Sequence, residues 1–195
     1  GVSVKSYKTM DGQRAATVTL ANVVVAEDQL LNDLGQGMDL VDQVMPSILM
    51  ALSAEALGIM ATLNSITVDY SKTRQQFGSP IGSFQVLQHR MVDTFMACEQ
   101  AKSMLYRSLC QAGEVAADAD TDSAEFLKSV HALKVTVAKS GKQIGEEAIQ
   151  LHGGIGMTDE LNIGHFVKRL MTINVTLGDR DFHQKKFNHL SYSGS

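Results

Sequence analysis

Two long patterns of helical periodicity meet at residues 74–85, where the sequence reads RQQFGSPIGSFQ. Before this stretch, apolar residues recur every three or four positions and predict one long amphipathic helix over about 38–75. Gly78, followed by a proline two residues later, predicts the C-cap that ends this helix. Ser83 is typical of an N-cap and predicts a second helix over about 84–112. The stretch therefore reads as the connection between two antiparallel helices.

Further helices are expected along the rest of the chain. Asp122 and Glu125 have the spacing of a capping box, and the apolar stripe after them continues to Gly153. Additional stripes predict a helix at about 162–175 and a short one at about 180–190. Because short connections between long helices favour antiparallel neighbours, the predicted fold class is mainly α, an up-and-down four-helix bundle.

The N-terminal part of the chain has a period near two instead. Residues 2–8 and 14–20 predict two strands, joined by a turn that contains Asp11-Gly12, and residues 23–25 predict a third short extended piece. Two or three strands do not form a stable sheet by themselves. We therefore expect them to be the end of a larger sheet.

Composition narrows the class of protein. The chain has 195 residues, of which 44% are hydrophobic and 19% charged, so it can bury a core and is not disordered. A formal charge of −4 gives no general surface for nucleic acid or an anionic membrane. The sequence shows neither an export segment nor an apolar run of about 20 residues, so we expect a cytoplasmic protein without a membrane segment.

Metal and disulfide chemistry is not indicated. Cys98 and Cys110 fall in one helical stretch without nearby partners, and no two histidines have metal-ligand spacing on one helix. Lys168-Arg169 and Lys185-Lys186 are interpreted as solvated charged faces. Any anionic ligand must then be held by local residues.

Two stretches have the residue types for such a ligand. Arg74 offers a guanidinium fork for a phosphate with Phe77 as an apolar wall, although a cation near a helix C-terminus has the same pattern. Gln150-Leu-His-Gly153-Gly154-Ile-Gly156 contains three glycines in a short space, which permit close approach of a backbone or a ligand. The simpler interpretation is a helix end. A Rossmann fingerprint would follow a strand, whereas this motif follows a helix.

Taken in this order, RQQFGSPIGSFQ and Q-x-x-GG-x-G resemble the C-terminal part of acyl-CoA dehydrogenases, over essentially the whole chain. The resemblance implies that residues 1–34 are the end of that family's middle β-domain and that residues 35–195 are its C-terminal helical bundle. It also implies FAD as cofactor, with the C-terminal domain of one subunit covering the ADP half of the FAD bound by its dimer mate. The expected assembly is a homo-oligomer, dimer or tetramer, or a heteromer of related subunits.

The same resemblance assigns individual residues. Arg74 would meet the FAD pyrophosphate, and His152 would touch the cofactor or a neighbouring subunit. The reaction it implies is α,β-dehydrogenation of an acyl-CoA thioester, in which a carboxylate removes the α-proton and a hydride passes to the flavin. In that family the electron acceptor is often an electron-transfer flavoprotein, and the sequence does not identify the acceptor of this protein. The implied FAD contacts are Arg74, Gln76, Phe77, Gln85, Gln150, Gly153, Gly154 and Gly156.

The usual catalytic carboxylate is missing from the sequence. A gapless count from the glycine motif places Leu177 where the commonest members have their Glu, and the alternative position of another branch falls on Ile48. The Arg that often adjoins it falls on Leu49. The catalytic residue is therefore unknown, with Glu55 and Asp179 as candidates.

Three explanations stay open. Glu55 is either a relocated base or a carboxylate satisfied by a neighbouring helix or by solvent. Asp179 is a base, a contact to the FAD ribose, or the cap of the last helix. The third possibility is a non-catalytic partner subunit of a heteromeric acyl-CoA dehydrogenase. A flavin-free helical interaction module is a more distant alternative.

Overall fold

A computed structural model describes residues 1–118, 123–158 and 160–192 of the chain. Most of these residues are helical, which confirms the predicted mainly α fold class. The five α-helices of the described residues are α1 (Gly37–Thr73), α2 (Gln85–Ala117), α3 (Ser123–His152), α4 (Ile163–Val175) and α5 (Arg180–Tyr192).

Helix α3 is the centre of the bundle, because it packs against α1, α2, α4 and α5. Its inward face buries Leu133 and Ile144 against residues such as Met60 of α1. Burying each such side chain contributes roughly 1.5–3 kcal/mol. Gly145 of α3 lets α4 approach closely, since a Cβ there would lie 3.4 Å from a methyl group of Val167.

Helix α1 contains Pro46 in its interior, and this proline is buried. By length and composition alone α1 would also suffice to cross a membrane, a property that it shares with the buried core helices of bundles. The expectation of no membrane segment therefore stays a prediction.

The N-terminal strands β1 (Val2–Lys8) and β2 (Arg14–Leu20) form an antiparallel hairpin, with Val2 opposite Leu20. Every residue of β1 is exposed. The predicted third extended piece is not a strand: residues 23–25 pair with no strand of the described chain. The reason is local, since Asn22 takes a left-handed conformation (φ 53°) that turns the chain away after the hairpin.

The connection between α1 and α2 differs from its prediction. It contains a second small hairpin, β3 (Gln75–Gln76) paired with β4 (Ser79–Pro80). Phe77 (φ 54°) and Gly78 (φ 80°) form its two-residue turn, as positive φ at both positions favours. Gly78 is thus not the C-cap of α1.

Other helix ends also need correction. Phe84, not Ser83, is the N-cap residue of α2, because the Ser83 hydroxyl donates to the Pro80 carbonyl at 2.7 Å. Helix α2 continues to Ala117, beyond the predicted residue 112. Asp122 of the proposed capping box lies outside the described residues.

Candidate functional site

The small hairpin of β3 and β4 is held at the end of α1 by backbone hydrogen bonds and packing. Arg74 caps α1 with its N–H on the Tyr70 carbonyl at 2.8 Å, and the Arg74 carbonyl accepts from the Ile81 N–H at 2.8 Å. The buried Ile81 side chain anchors the returning chain. Gly82 then lies so close to Ser71 that a Cβ would be 3.0 Å from its carbonyl oxygen. The backbone around Arg74 is therefore well defined.

Side chains of this loop point outward. Phe77 is 93% exposed, and its ring lies nearly perpendicular to the Phe84 ring, at 6.2 Å between ring centroids. Arg74 is exposed, and no side-chain partner of its guanidinium is found within the described ranges. Gln76 and Gln85 are exposed as well. The Arg74 guanidinium and the Phe77 ring are thus accessible to a ligand at this end of the bundle.

The glycine motif follows α3 as a single tight turn, Gly153–Met157. Gly153 has φ 64°, and open space surrounds the positions where side chains of Gly153 and Gly154 would lie. Gly156 differs, because it is buried and a Cβ would be 3.1 Å from the Ile149 carbonyl oxygen. The first two glycines leave their backbone accessible to a ligand, whereas Gly156 permits the turn to pack on α3. Gln150 lies exposed on the preceding helical turn.

Tyr70 and His152 bring the two motifs together. Their rings stack with centroids 4.4 Å apart and an interplanar angle of 26°. The Tyr70 hydroxyl also donates to the His152 carbonyl at 3.4 Å. His152 itself is 3% exposed, so it lies inside the bundle. The loop at Arg74 and the turn at Gly153 therefore occupy one end of the molecule.

The loop between α4 and α5 contains Leu177, which stands at the position where the resemblance in sequence places the catalytic Glu. Leu177 has φ 59°, a conformation that costs a branched side chain energy. Buried Lys134 supports the loop by donating to the carbonyls of Ile173 and, at 3.1 Å, Thr176. Burial lowers the pKa of Lys134 to about 8. Asp179 caps α5, since its carboxylate accepts the Phe182 N–H at 2.8 Å.

A partly open cavity of about 350 Å³ lies between α1, α3 and α5. Leu49 and Leu177 both line it, so the residues at the expected Arg position and at the commonest Glu position face the same space, whereas Ile48 is not among the lining residues and is 43% exposed. Its polar wall consists of Asp42, His131, His183, Lys186 and His189.

His131 and His183 form a pair in this wall, with their Nδ1 atoms 2.9 Å apart. His183 is 1% exposed, and burial, with the neighbouring His131 and Lys134, lowers its pKa to about 4. It is therefore neutral at pH 7. Sequence reasoning missed this pair because the two residues are far apart in the chain. The one local signal was that His131 directly follows Val130 of the apolar stripe of α3.

Glu55 is held by Arg169, whose guanidinium also contacts Asp11 at 2.8 Å. The Arg169 side chain is 26% exposed, so its assignment to a solvated face is wrong, while Lys168 is exposed. These hydrogen bonds lower the pKa of Glu55. Hydrogen bonds lower the pKa of Asp11 to about 2, and the largest contribution comes from the Thr9 hydroxyl, followed by Arg169. A carboxylate bound in this way is a weak proton acceptor.

The sequence also matches a known family. The family model described as acyl-CoA dehydrogenase, C-terminal domain, matches residues 35–186. Acyl-CoA dehydrogenase IpdE2 of Mycolicibacterium smegmatis is 34% identical over 163 residues, which cover 83% of this chain and 44% of that protein. The chain thus spans less than half the length of this curated relative.

Solved structures share the fold. A structure described as an FAD-dependent dehydrogenase is 26% identical with a TM-score of 0.87, and the match covers 97% of this chain and 50% of that one. The ChsE4-ChsE5 complex from Mycobacterium tuberculosis is 19% identical with a TM-score of 0.86, covering 98% and 50%. The second likeness shows the fold alone.

Proposed function

Since this chain belongs to the acyl-CoA dehydrogenase family, we propose that it is the C-terminal part of an FAD-dependent enzyme that dehydrogenates an acyl-CoA thioester. The observation that carries the proposal is the convergence of Arg74 and the Gly153-Gly154 backbone at one end of the bundle. The resemblance in sequence assigns the same residues to the cofactor.

The residues at this end fit a dinucleotide diphosphate. The Arg74 guanidinium offers paired N–H donors of the kind that bind phosphate. Gly153 and Gly154 leave space for the ligand beside their backbone. Phe77 provides an exposed ring for an apolar part of the ligand. When bound, FAD would supply the hydride acceptor.

The exposure of these groups supports an assembly. Arg74 and Phe77 project from the surface, which suits a cofactor shared with another subunit. A dimer or tetramer of this protein, or a heteromer with a related subunit, would complete the FAD site. An electron-transfer flavoprotein is the proposed acceptor of the electrons.

FAD content tests this proposal. The complete natural protein that contains this chain is purified with any subunit that accompanies it, and its flavin absorbance is measured. Arg74→Ala should lower FAD affinity by at least about tenfold, as expected for the loss of a charged phosphate contact. Lys72→Ala, a nearby exposed cation paired with Asp69, is the matched control. A colourless wild-type protein that does not take up FAD would refute the proposal and favour a flavin-free interaction module.

A second candidate is a non-catalytic partner subunit of a heteromeric acyl-CoA dehydrogenase. Leu49 and Leu177 line the cavity, Glu55 is bound to Arg169, and Asp179 caps α5. The fold is also that of the ChsE4-ChsE5 complex.

An acyl-CoA panel separates the two candidates. The complete protein is mixed with each acyl-CoA, alone and with any adjacent homologue, while flavin absorbance is followed. Bleaching by the protein alone supports the catalytic candidate, whereas bleaching only with the homologue supports the partner subunit.

A further inference from the structure

We propose that Tyr70 and His152 are positioning residues. They fix the relative position of the two FAD-binding stretches of this chain, which are the loop at Arg74 and the turn at Gly153. The inference rests on the proposed function and adds two buried or half-buried residues to it. The role requires neither residue to contact the cofactor, and His152, which the resemblance in sequence places against the cofactor or a neighbouring subunit, is buried inside the bundle.

Each of the two residues is directly connected to one FAD-binding stretch. Tyr70 lies one helical turn before Arg74, and its carbonyl accepts the Arg74 N–H at 2.8 Å. His152 is the last residue of α3 and directly precedes Gly153. The stacked rings at 4.4 Å therefore join the Arg74 loop to the glycine turn across the bundle. A displacement of either ring would move one stretch relative to the other.

Packing around His152 fixes its ring. The His152 Nδ1 lies 2.8 Å from the Ala148 carbonyl, and because a carbonyl only accepts, Nδ1 is the donor of this hydrogen bond. Gly156 brings the returning chain close to the Cβ of His152, since a Cβ on Gly156 would lie 3.1 Å from it. The turn therefore packs on the His152 side chain, whose ring stacks on Tyr70.

The relative position of the two stretches matters because they belong to different elements and would bind the same diphosphate. Binding sites require their groups within about 0.5 Å of the productive geometry. A preformed arrangement also avoids the cost of ordering loops when the ligand binds. Loss of the stack should therefore weaken FAD binding even though the Arg74 side chain remains.

The test measures the FAD dissociation constant by titrating the complete apoprotein, with any accompanying subunit, and following flavin fluorescence. His152→Ala and Tyr70→Leu should each weaken binding by about tenfold, the upper range for an aromatic pair. His152→Phe and Tyr70→Phe keep the rings and should stay within about twofold of wild type. The thermal midpoint of each apoprotein is measured in parallel.

Leu133→Ala is the matched control for stability. Leu133 lies fully buried on α3 and belongs to the core rather than the FAD-binding stretches. It should lower the thermal midpoint and leave the FAD dissociation constant unchanged at a temperature where all variants are folded. If His152→Ala does not fold, Tyr70→Leu decides the question.

The outcomes distinguish the two proposals. Wild-type affinity in the folded alanine or leucine variants overturns the positioning role, as does equal weakening by Leu133→Ala. If Arg74→Ala weakens FAD binding in that case, the proposed function stands without the positioning role. A wild-type protein that does not bind FAD overturns both.

Discussion

Arg169 on α4 binds Glu55 on α1 through two hydrogen bonds, from Nε to Oε1 at 2.6 Å and from Nη2 to Oε2 at 2.7 Å. Its remaining Nη1 donates to Asp11 in the turn between β1 and β2. One guanidinium thus joins two helices to the N-terminal hairpin. Bidentate pairs of this kind are stronger than single contacts between exposed charges.

Arg169→Gln should lower the free energy of unfolding by about 1 kcal/mol, because the Glu55 side chain is 42% exposed and water weakens the pair. Urea unfolding of the purified protein measures the change. The neighbouring Lys168 is exposed, and Lys168→Gln serves as the control with a change near zero. Equal effects of the two substitutions would show that the pair does not stabilise the fold.

Glu55→Gln should leave any acyl-CoA-dependent flavin bleaching within about twofold of wild type, since removal of a general base costs about 10²-fold or more. The reason is that Arg169 lowers the pKa of Glu55 and occupies both of its oxygens. Stopped-flow absorbance of the complete protein gives the rate. A hundredfold loss with normal FAD content would identify Glu55 as the base after all.

Acid should weaken the fold through His183. Its pKa is lowered from 6.5 to about 4, so an unfolded chain binds a proton in this range that the folded chain does not. Stability from this group is therefore complete above pH 6.5 and is lost as the pH falls toward 4. Thermal midpoints measured across this interval test the expectation.

His183→Asn should flatten that pH dependence, whereas His89→Asn on the exposed surface of α2 should leave it unchanged. A dependence that persists in the His183 variant would assign it to other groups.

Leu177→Asn should raise the free energy of unfolding by about 0.5–1 kcal/mol, because asparagine tolerates the left-handed conformation better than leucine. Leu177 has φ 59° and is 41% exposed, and we expect the relief of about 1–2 kcal/mol in backbone energy to exceed the loss of its remaining apolar burial in the cavity wall. Leu177→Val is the opposite control, since a β-branched residue is less tolerant still. Calorimetry of the three proteins should give the order Asn, Leu, Val. A less stable asparagine variant would contradict this reading of the loop.

Periodicity predicted the helices because each of them buries one stripe of apolar side chains, and two glycine-containing stretches indicated the end of the bundle that we propose to bind FAD. What the sequence could not reveal depends on contacts between distant residues. Arg169 looked solvated because Glu55 and Asp11 are far away in the chain. Phe77 gave no sign of a hairpin turn, since bulky residues rarely adopt positive φ.

The central position of α3 has a consequence for hydrogen exchange. Because every other helix packs on it, its backbone amides cannot reach water through the opening of a single neighbour, and they should exchange only when the whole bundle unfolds. The exposed β1–β2 hairpin should exchange through local opening. The helix that we expect to exchange most slowly ends at His152, directly before the glycine turn. The proposed cofactor contact would then follow directly on the helix that opens last.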